Sequence, residues 1–389
     1  MLNLTYNFKL VPTKKQVNQI EEILRVCKSV WNYNLAERKD WVNSRKCNIN
    51  SCSINSEYII PANTKFPNYY EQANRLTKDR KNNSYLKSVN AQVLQQVIRN
   101  LDKAWTDMFK RNFGFPRFKN IKRMKSFVFP QFKTNPITNN TIKLPTLGVV
   151  KFRKSREIPE GFKVKQVQVV RKASGYYINI AIALDVDIVK PILHGHAIGI
   201  DAGISSMLST SDGLKIQRPE FISKAQRKLK LLQRRLKKKQ TGSSNWNKLS
   251  KRIALLHEHI SNKRKEYHFQ LAHKLCENAD TIFVEDINFT SWSKGIFAKQ
   301  SRDMALGQFF VILEYVCSKT DTFFEKVDKN YTSQICPACN TRTGKKSLDV
   351  RVHSCSNCGY TTDRDVAAAQ VIRDRGLTLH NFKAVGTPV

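Results

Sequence analysis

Negative charge is scarce in this sequence. Of its 389 residues, 31 are Asp or Glu and 67 are Lys or Arg, so the formal net charge is +36 at pH 7. Because self-repulsion of this size destabilises a compact chain, the composition predicts a polyanionic partner that neutralises much of the charge. It argues against an ordinary enzyme that acts on small neutral substrates. Nucleic acid is the leading partner, and a folded RNA would neutralise the most charge.

Long apolar runs are also missing. No stretch of about 18 uncharged apolar residues occurs, which predicts that no segment spans a membrane. The first residues, MLNLTYNFKLVPTKK, lack the apolar segment and the small-residue cleavage site of a signal peptide. We therefore expect a cytoplasmic protein. The apolar share of 41% still suffices for folded cores, and the length predicts two or three domains.

Cysteine is present, but not in the manner of a disulfide framework. Nine cysteines in a long chain without an export signal indicate reduced thiols or a metal site. Five are scattered, namely Cys27, Cys47, Cys52, Cys276 and Cys317. The other four form a C-x2-C-x15-C-x2-C pattern, namely Cys336, Cys339, Cys355 and Cys358. Four thiolates complete the tetrahedron of one structural zinc and leave no open position for catalysis. Gly359 stands where the second tight turn needs a glycine, and two disulfides are the alternative.

In the first half of the chain, the residue pattern changes at Gly114 from helix-like to strand-like. Before it, residues 2–10 predict one strand, and apolar stripes at helical spacing predict helices near 17–31 and 89–111. The polar residues 43–85 predict loops with one short helix. After Gly114, short strand-like runs predominate.

Strands in this second stretch alternate apolar and polar residues. The pattern at 176–184 predicts a half-buried strand, and the valines at 164–169 predict its hairpin partner, joined through residues 173–175. Further strands are predicted near 141–151. Because the strand at 2–10 precedes the helices, the helical block is interpreted as an insertion into a small antiparallel β-domain.

A third unit begins near His194. The segment AIGIDAGISSMLSTSDGLKI predicts three strands joined by turns, and a strongly basic helix follows at 224–239. A second helix to about residue 278, the strand TIFVED, a helix at 303–320 and the strand TFFEKVD continue the pattern. Thr362 or Asp363 can cap a last helix that runs towards Gly376.

Three carboxylates occupy positions that can converge. Asp201 and Glu285 each end an apolar strand, and Asp365 lies in the first turn of the last helix. Phosphodiester cleavage by two magnesium ions needs such a cluster, with the ions ~3.5–4 Å apart. Taken singly, each acid has another explanation: a turn residue, a salt-bridge partner or a helix cap.

These motifs resemble, in order, those of the TnpB family of transposon-encoded, RNA-guided DNA endonucleases, whose core compact type V CRISPR effectors share. The resemblance is carried by GIDAG, FVEDIN, CPAC with CSNC, and DRDVAAA. Upstream, YNFKLVPTKKQ, VWNYNL and FGFPRFKN also look like that family, so the resemblance covers nearly the whole chain. The ordered set is specific, whereas GIDAG or DRD alone is weak.

The resemblance implies which residues act. In the family, three carboxylates of a RuvC-type, RNase H-like fold hold two magnesium ions, and by motif these are Asp201, Glu285 and Asp365, with Asp363 as the runner-up for the third. The family usually has Asn at the positions of Ala367 and Val371, so the surroundings of Asp365 differ here.

The implied fold is a multidomain α+β protein. Residues 1–12 and 114–190 form a β-barrel-like wedge domain, into which a helical recognition domain, 13–113, is inserted. Residues 191–330 and 360–389 form the RuvC-like nuclease domain. Residues 331–359 form the zinc ribbon, which binds target nucleic acid.

The implied function is RNA-guided DNA cleavage by a monomeric ribonucleoprotein. A noncoding RNA from the transposon end guides the protein to double-stranded DNA beside a short motif. The stretch from Phe113 to Lys119, which mixes Phe with Lys and Arg, is either a nucleic-acid contact or a Phe core with solvated cations. Three alternatives stay open: a nuclease-inactive RNA-guided repressor, a compact CRISPR effector of the same fold, and a direct DNA transposase.

Overall fold

The computed structural model describes residues 2–46, 60–61, 63–111, 113–186, 189–347 and 349–380. The chain divides into two compact units, residues 1–188 and 189–389. Cys47 and Cys52, two of the scattered cysteines, lie outside the described residues. The finer division into four predicted domains stays a prediction.

In its described residues, the first unit combines four helices with a seven-stranded antiparallel sheet. The helices and the strand before them are β1 (Leu2–Val11), α1 (Lys14–Lys46), α2 (Tyr69–Asn82), α3 (Ser84–Lys87) and α4 (Ala91–Lys110). The later strands are β2 (Ser126–Phe129), β3 (Ile137–Thr138), β4 (Thr141–Leu144), β5 (Gly148–Arg153), β6 (Lys163–Lys172) and β7 (Gly175–Leu184). The strand order is β2-β6-β7-β1-β5-β4-β3. The strand that precedes the helices therefore lies between strands that follow them, as the interpretation of an insertion requires.

The predicted hairpin is present, and its strand pairing explains the irregular spacing of its three valines. Val169 pairs with Ile178 and Val167 with Ile180. A shift of register between Val164 and Gln166 then lets Val164 pair with Ile182. A bulge of this kind adds one residue to a strand, which keeps all three valines on the buried face.

Of the range 43–85, which was predicted as loops with one short helix, residues 47–59 and 62 lie outside the described residues, and for the rest the prediction is wrong in part. Helix α1 continues to Lys46, and α2 is a helix of 14 residues. Only Gln72, Ala73 and Leu76 of α2 are buried, so its apolar periodicity is too thin to detect. A capping box of Asn68 with Glu71 begins the helix, and this pair is the feature of the sequence that indicates its start.

The second unit is built on a five-stranded mixed sheet. Its elements are β8 (Ala197–Ala202), β9 (Ser206–Thr210), β10 (Lys215–Gln217), α5 (Phe221–Lys237), α6 (Ser244–Asn278), β11 (Thr281–Glu285), α7 (Phe289–Trp292), α8 (Ala298–Met304), α9 (Leu306–Cys317), β12 (Phe323–Val327), β13 (Val352–Ser354), β14 (Thr361–Asp363) and α10 (Arg364–Leu379). The order is β10-β9-β8-β11-β12. Strands β8, β9 and β10 are antiparallel, whereas β11 runs parallel to β8 and β12.

Helices cover both faces of this sheet. Ile198, Ile200 and Ile282 pack in one cluster with residues of α6 and α9. Phe283 packs on the other side with Ile372 and Leu377 of α10. The sheet is therefore the middle layer of this unit, with α6 and α9 on one face and α10 on the other.

Two helix predictions need correction. The helix expected at 303–320 is two helices, because Ala305 adopts a left-handed conformation with φ of 51°. Gly376 does not end α10, which continues to Leu379. A Cβ atom at Gly376 would lie 2.2 Å from the Phe283 ring, so this glycine serves close packing. No helix among the described residues has the length and apolar character needed to cross a membrane.

Candidate active site

Asp201 lies near the end of β8 on the face that α10 covers. Side chains alternate along a strand, so Asp201 shares a face with Gly199. A Cβ atom at Gly199 would lie 2.0 Å from the Ala369 carbonyl oxygen, so β8 and α10 are in close contact there. Asp365 precedes Ala369 by one helical turn and lies on the same side of α10. The packing therefore brings Asp201 and Asp365 to facing surfaces of β8 and α10, close enough for the charge of Asp365 to act on Asp201.

Glu285 ends the neighbouring strand on the same face. It alternates with Phe283, whose ring packs against Gly376 of α10. The Thr332 hydroxyl, which is buried, donates a hydrogen bond to Glu285 Oε1. Thr332 was not predicted from the sequence, and its only signal was its place just before the first cysteine pair.

Asp363 is held by other partners. Its Oδ1 accepts hydrogen bonds from the backbone N–H groups of Asp365 and Val366, so it is the N-cap of α10. Its Oδ2 forms an ion pair with Lys215. Although burial acts to raise the pKa of Asp363, the hydrogen bonds from Lys215 and from the helix N–H groups hold that pKa below its ordinary value. Asp363 therefore has a structural role that Asp365 lacks.

Electrostatics link the three predicted acids. Burial, together with the charges of Glu285 and Asp365, raises the pKa of Asp201 from 3.8 to about 8. Burial also raises the pKa of Glu285, against the Thr332 hydrogen bond and the charges of Arg375 and Lys329. A bound cation would relieve both the desolvation and the mutual repulsion of these groups. Oxygen ligands are those that magnesium prefers, so this donor set fits that ion.

The four predicted cysteines converge. Their sulfur atoms all lie within 4.8 Å of one another, whereas the three carboxylates do not form such a compact group among the described residues. The Cys336–Cys358 and Cys339–Cys355 sulfur distances are 3.7 and 3.6 Å. Tetrahedral zinc–sulfur bonds of ~2.3 Å place sulfurs about 3.8 Å apart, and a disulfide needs about 2.05 Å. The geometry therefore fits zinc and not the alternative of two disulfides.

The two cysteine pairs have the same backbone design. The N–H groups of Asn340 and Gly359 donate to the carbonyls of Cys336 and Cys355, each at 2.9 Å. Both residues have positive φ, 58° and 74°. Gly359 thus stands where the turn needs a glycine, as the sequence predicted, and Asn340 is its counterpart.

The aromatic–basic stretch of the first unit is a surface. Phe113, Phe115 and Phe118 are 57%, 38% and 46% exposed. Lys39 Nζ lies 5.4 Å from the Phe115 ring centroid and 4.5 Å from that of Phe118. Of the two interpretations of this stretch, exposed rings with interleaved cations favour a nucleic-acid contact.

Family models and known proteins resemble this chain along most of its length. Models described as "Helix-turn-helix domain", "Probable transposase" and "Cas12f1-like, TNB domain" match residues 1–47, 181–294 and 307–372. A Streptomyces pristinaespiralis protein named "Putative RNA-guided DNA endonuclease" is 30% identical over 79% of this chain and 78% of its own. An Escherichia coli K12 protein named "Putative RNA-guided DNA endonuclease InsQ" is 27% identical over 95% of this chain and 92% of its own.

One solved structure supports the fold alone. The structure of "the mini-RNA-guided endonuclease CRISPR-Cas phi3" aligns with 100% of this chain and 94% of its own, with a TM-score of 0.53 and 9% identity.

Proposed function

Because the chain belongs to the TnpB family of transposon-encoded, RNA-guided DNA endonucleases, we propose that it is the protein part of a ribonucleoprotein that cleaves DNA. The main support for this proposal is the Streptomyces relative, which is 30% identical to this chain and is matched over 78% of its own length. A noncoding RNA from the transposon end binds one protein chain, and its guide segment pairs with a strand of the target duplex. Base pairing then reads the sequence, while the protein reads a short motif beside the target.

The nuclease is a RuvC-type, RNase H-like domain, residues 191–330 and 360–389. The sheet order and the shared face of its acids support this assignment. Asp201, Glu285 and Asp365 would hold two magnesium ions, and the chemistry that such ions supply is activation of water and stabilisation of the leaving oxygen. Thr332 orients the Glu285 carboxylate by its hydrogen bond, and the nearby charges of Lys329 and Arg375 attract the phosphate backbone.

The ribbon, residues 331–359, holds one structural zinc through Cys336, Cys339, Cys355 and Cys358. The sulfur spacing supports this ion. Hydrogen bonds from Thr341 and Asn357 lower the pKa of Cys339 to about 5, which favours the thiolate that a metal binds. The ribbon contacts target DNA.

The first unit binds the RNA and the target. Residues 1–12 and 114–190 form the wedge domain, and residues 13–113 form the recognition domain. The exposed rings of Phe113, Phe115 and Phe118 stack on unpaired bases, and the interleaved cations contact phosphates.

The alternatives differ in what the residues demand. A nuclease-inactive repressor would have lost an acid of the site, and all three are present. A transposase would join strands as well as cut them, which no residue described here requires. A CRISPR effector of the same fold differs in its genomic neighbourhood, where a repeat array replaces a transposon end.

Plasmid cleavage tests the proposal. Protein purified with its RNA should cleave a plasmid that carries the guide-matched target, in magnesium and not in EDTA. The Asp201→Ala complex should bind the same plasmid without cutting it. Cleavage by the Asp201→Ala complex would rule out the assigned active site. Strand-joined products would favour a transposase.

A further inference from the structure

An exposed tyrosine stands beside the candidate active site. Tyr331 is 51% exposed. The next residue, Thr332, is buried and donates its hydroxyl to Glu285. Because consecutive Cα atoms are about 3.8 Å apart, Tyr331 stands at the rim of the carboxylate cluster.

The backbone around Tyr331 is held firmly and in an unusual conformation. The Arg375 guanidinium donates to the carbonyls of Asp328 and Asn330. The Tyr331 carbonyl accepts the Gln334 N–H at 2.9 Å. Tyr331 itself has φ of 63° and ψ of 12°, where glycine or asparagine would be less strained. Strain of this kind concentrates at functional sites, and the exposed ring supplies no core packing that would explain a tyrosine.

A second planar group already lies on the ring. The Arg342 guanidinium carbon is 4.0 Å from the Tyr331 ring centroid. Arg342 is exposed and follows the turn of the first cysteine pair, where its backbone forms an antiparallel β-bridge with Ile335.

We propose that Tyr331 and Arg342 form a stacking site for an unpaired DNA base next to the phosphate that the carboxylates cleave. The proposal rests on the proposed nuclease function. Aromatic and guanidinium planes bind any base through its π-face, and such a site suits an enzyme whose target sequence is read by its guide. Stacking there positions the strand so that its phosphate meets the carboxylates. Tyr331 is thus a positioning residue, not a catalytic one.

Photocrosslinking tests contact without requiring cleavage. The complex with Asp201→Asn is bound to target DNA that carries 5-iodouracil at positions across the cut sites, irradiated and mapped by mass spectrometry. We expect an adduct on Tyr331 that disappears in the Asp201→Asn, Tyr331→Leu double variant. Adducts confined to other residues overturn the proposal, as does an adduct on Tyr331 from iodinated guide RNA alone.

Kinetics separate positioning from a structural role. Tyr331→Ala should slow cleavage about 5- to 150-fold, the range for loss of one stacked base, with target affinity, zinc content and melting temperature unchanged. Tyr331→Phe keeps the ring and should recover most of the lost rate. Tyr315→Ala is the matched control, because Tyr315 is 45% exposed and has Lys319 5.1 Å from its ring centroid but lies in α9.

Two kinetic results overturn the stacking site: a wild-type rate in Tyr331→Ala, or a loss in Tyr331→Phe as complete as in Tyr331→Ala. The outcomes also distinguish the two proposals. A wild-type complex that never cuts DNA contradicts the nuclease function, whereas an adduct on Tyr331 in that complex still supports the stacking site.

Discussion

Asp363 and Asp365 differ in the partners that their carboxylates already have. Asp363 caps α10 and pairs with Lys215, whereas Asp365 contributes its charge to the environment of Asp201. Both oxygens of Asp363 are already engaged, Oδ1 by the N–H groups of the helix and Oδ2 by Lys215, which leaves Asp365 as the candidate ligand. This difference separates the first choice for the third ligand from the runner-up.

Substitution of the two residues should have opposite effects. Asp365→Asn should reduce cleavage by about 100-fold or more, because a group that stabilises the reaction's charge is lost, and should leave the melting temperature near that of wild type. Asp363→Ala should cost about 1 kcal/mol of unfolding free energy through the lost cap and reduce cleavage far less. Plasmid cleavage and thermal unfolding measure the two effects. The reverse pattern would make Asp363 the ligand.

Asp201 also predicts a dependence of stability on pH. Its pKa is raised in the folded state from 3.8 to about 8, so the protonated acid favours folding. That contribution is complete below the unfolded value and is lost as the pH rises to about 8. In EDTA, wild-type protein should therefore lose melting temperature relative to Asp201→Asn as the pH rises through this window. Magnesium should raise the wild-type melting temperature at pH 8 and not that of the variant. Parallel curves for the two proteins would contradict the buried environment of Asp201.

At the scale of elements, the approach of α10 to the sheet determines where the acids meet. Gly199 and Gly376 allow α10 to pack closely on the sheet, since a Cβ atom at either glycine would lie within 2.2 Å of an atom on the other side of this contact. Ala367 and Val371, where the family usually has Asn, are 2% and 5% exposed. The departure from the family pattern thus lies in this packed contact and leaves the Asp365 carboxylate in place.

Gly199→Ala tests that contact. The added methyl group should displace α10, cost about 1–3 kcal/mol through overpacking and reduce cleavage by moving Asp365 away from Asp201. Gly307→Ala is the matched control, because a Cβ atom there would meet Phe289 at an ordinary 3.8 Å and alanine favours a helix. Urea unfolding and cleavage assays compare the two. Equal behaviour would show that α10 does not depend on the glycine.

The ribbon should depend on its metal. Metal analysis of purified protein should find about one zinc ion per chain. Cys336→Ser should lose that ion and unfold the ribbon, because binding free energy is folding free energy in such sites. Cys276→Ser, which changes a cysteine outside the set, should retain the ion. Full zinc content in Cys336→Ser would exclude the four-thiolate site.

Much of the site could be predicted from sequence because its parts are local. Short apolar runs that end in Asp201 and Glu285 predict strand ends, and the cysteine spacing predicts the ribbon. The shared face of the acids could not be predicted, because it depends on Gly199 and Gly376 meeting α10 in the tertiary structure. Gly376 resembled a helix end for the same reason: the Phe283 ring that requires it lies far away in sequence. Thr332 had no local pattern that pointed to Glu285.

At the scale of the whole molecule, the excess of +36 has a structural distribution. Helix α5 is the densest basic segment, with Leu229 and Leu232 buried and most of its Lys and Arg exposed. The exposed Phe residues of the first unit add rings between cations. Charge distributed in this way suits contacts with phosphate along an extended length of nucleic acid.

Salt should therefore weaken RNA binding steeply. For six to ten phosphate contacts, affinity should fall by at least about 10³-fold between ~50 and ~200 mM salt. Replacing exposed Arg234 and Arg235 of α5 by Gln should weaken binding and reduce the slope of log affinity against log salt by about one per lost contact. Filter binding of the copurified RNA measures both. A slope near zero would contradict a partner bound through its phosphates.

The central position of β1 has a consequence for synthesis on the ribosome. Leu2 pairs with Leu184 and Lys9 with Arg153, so both neighbours of β1 emerge long after it. At ~5–20 residues per second, the nascent chain carries β1 with two open edges for roughly ten to thirty seconds. Until β7 is made, the sheet cannot be assembled, so the first unit is completed late in translation. Edges left open for so long attract aggregation, which makes slow elongation before residue 184 a hazard for this protein.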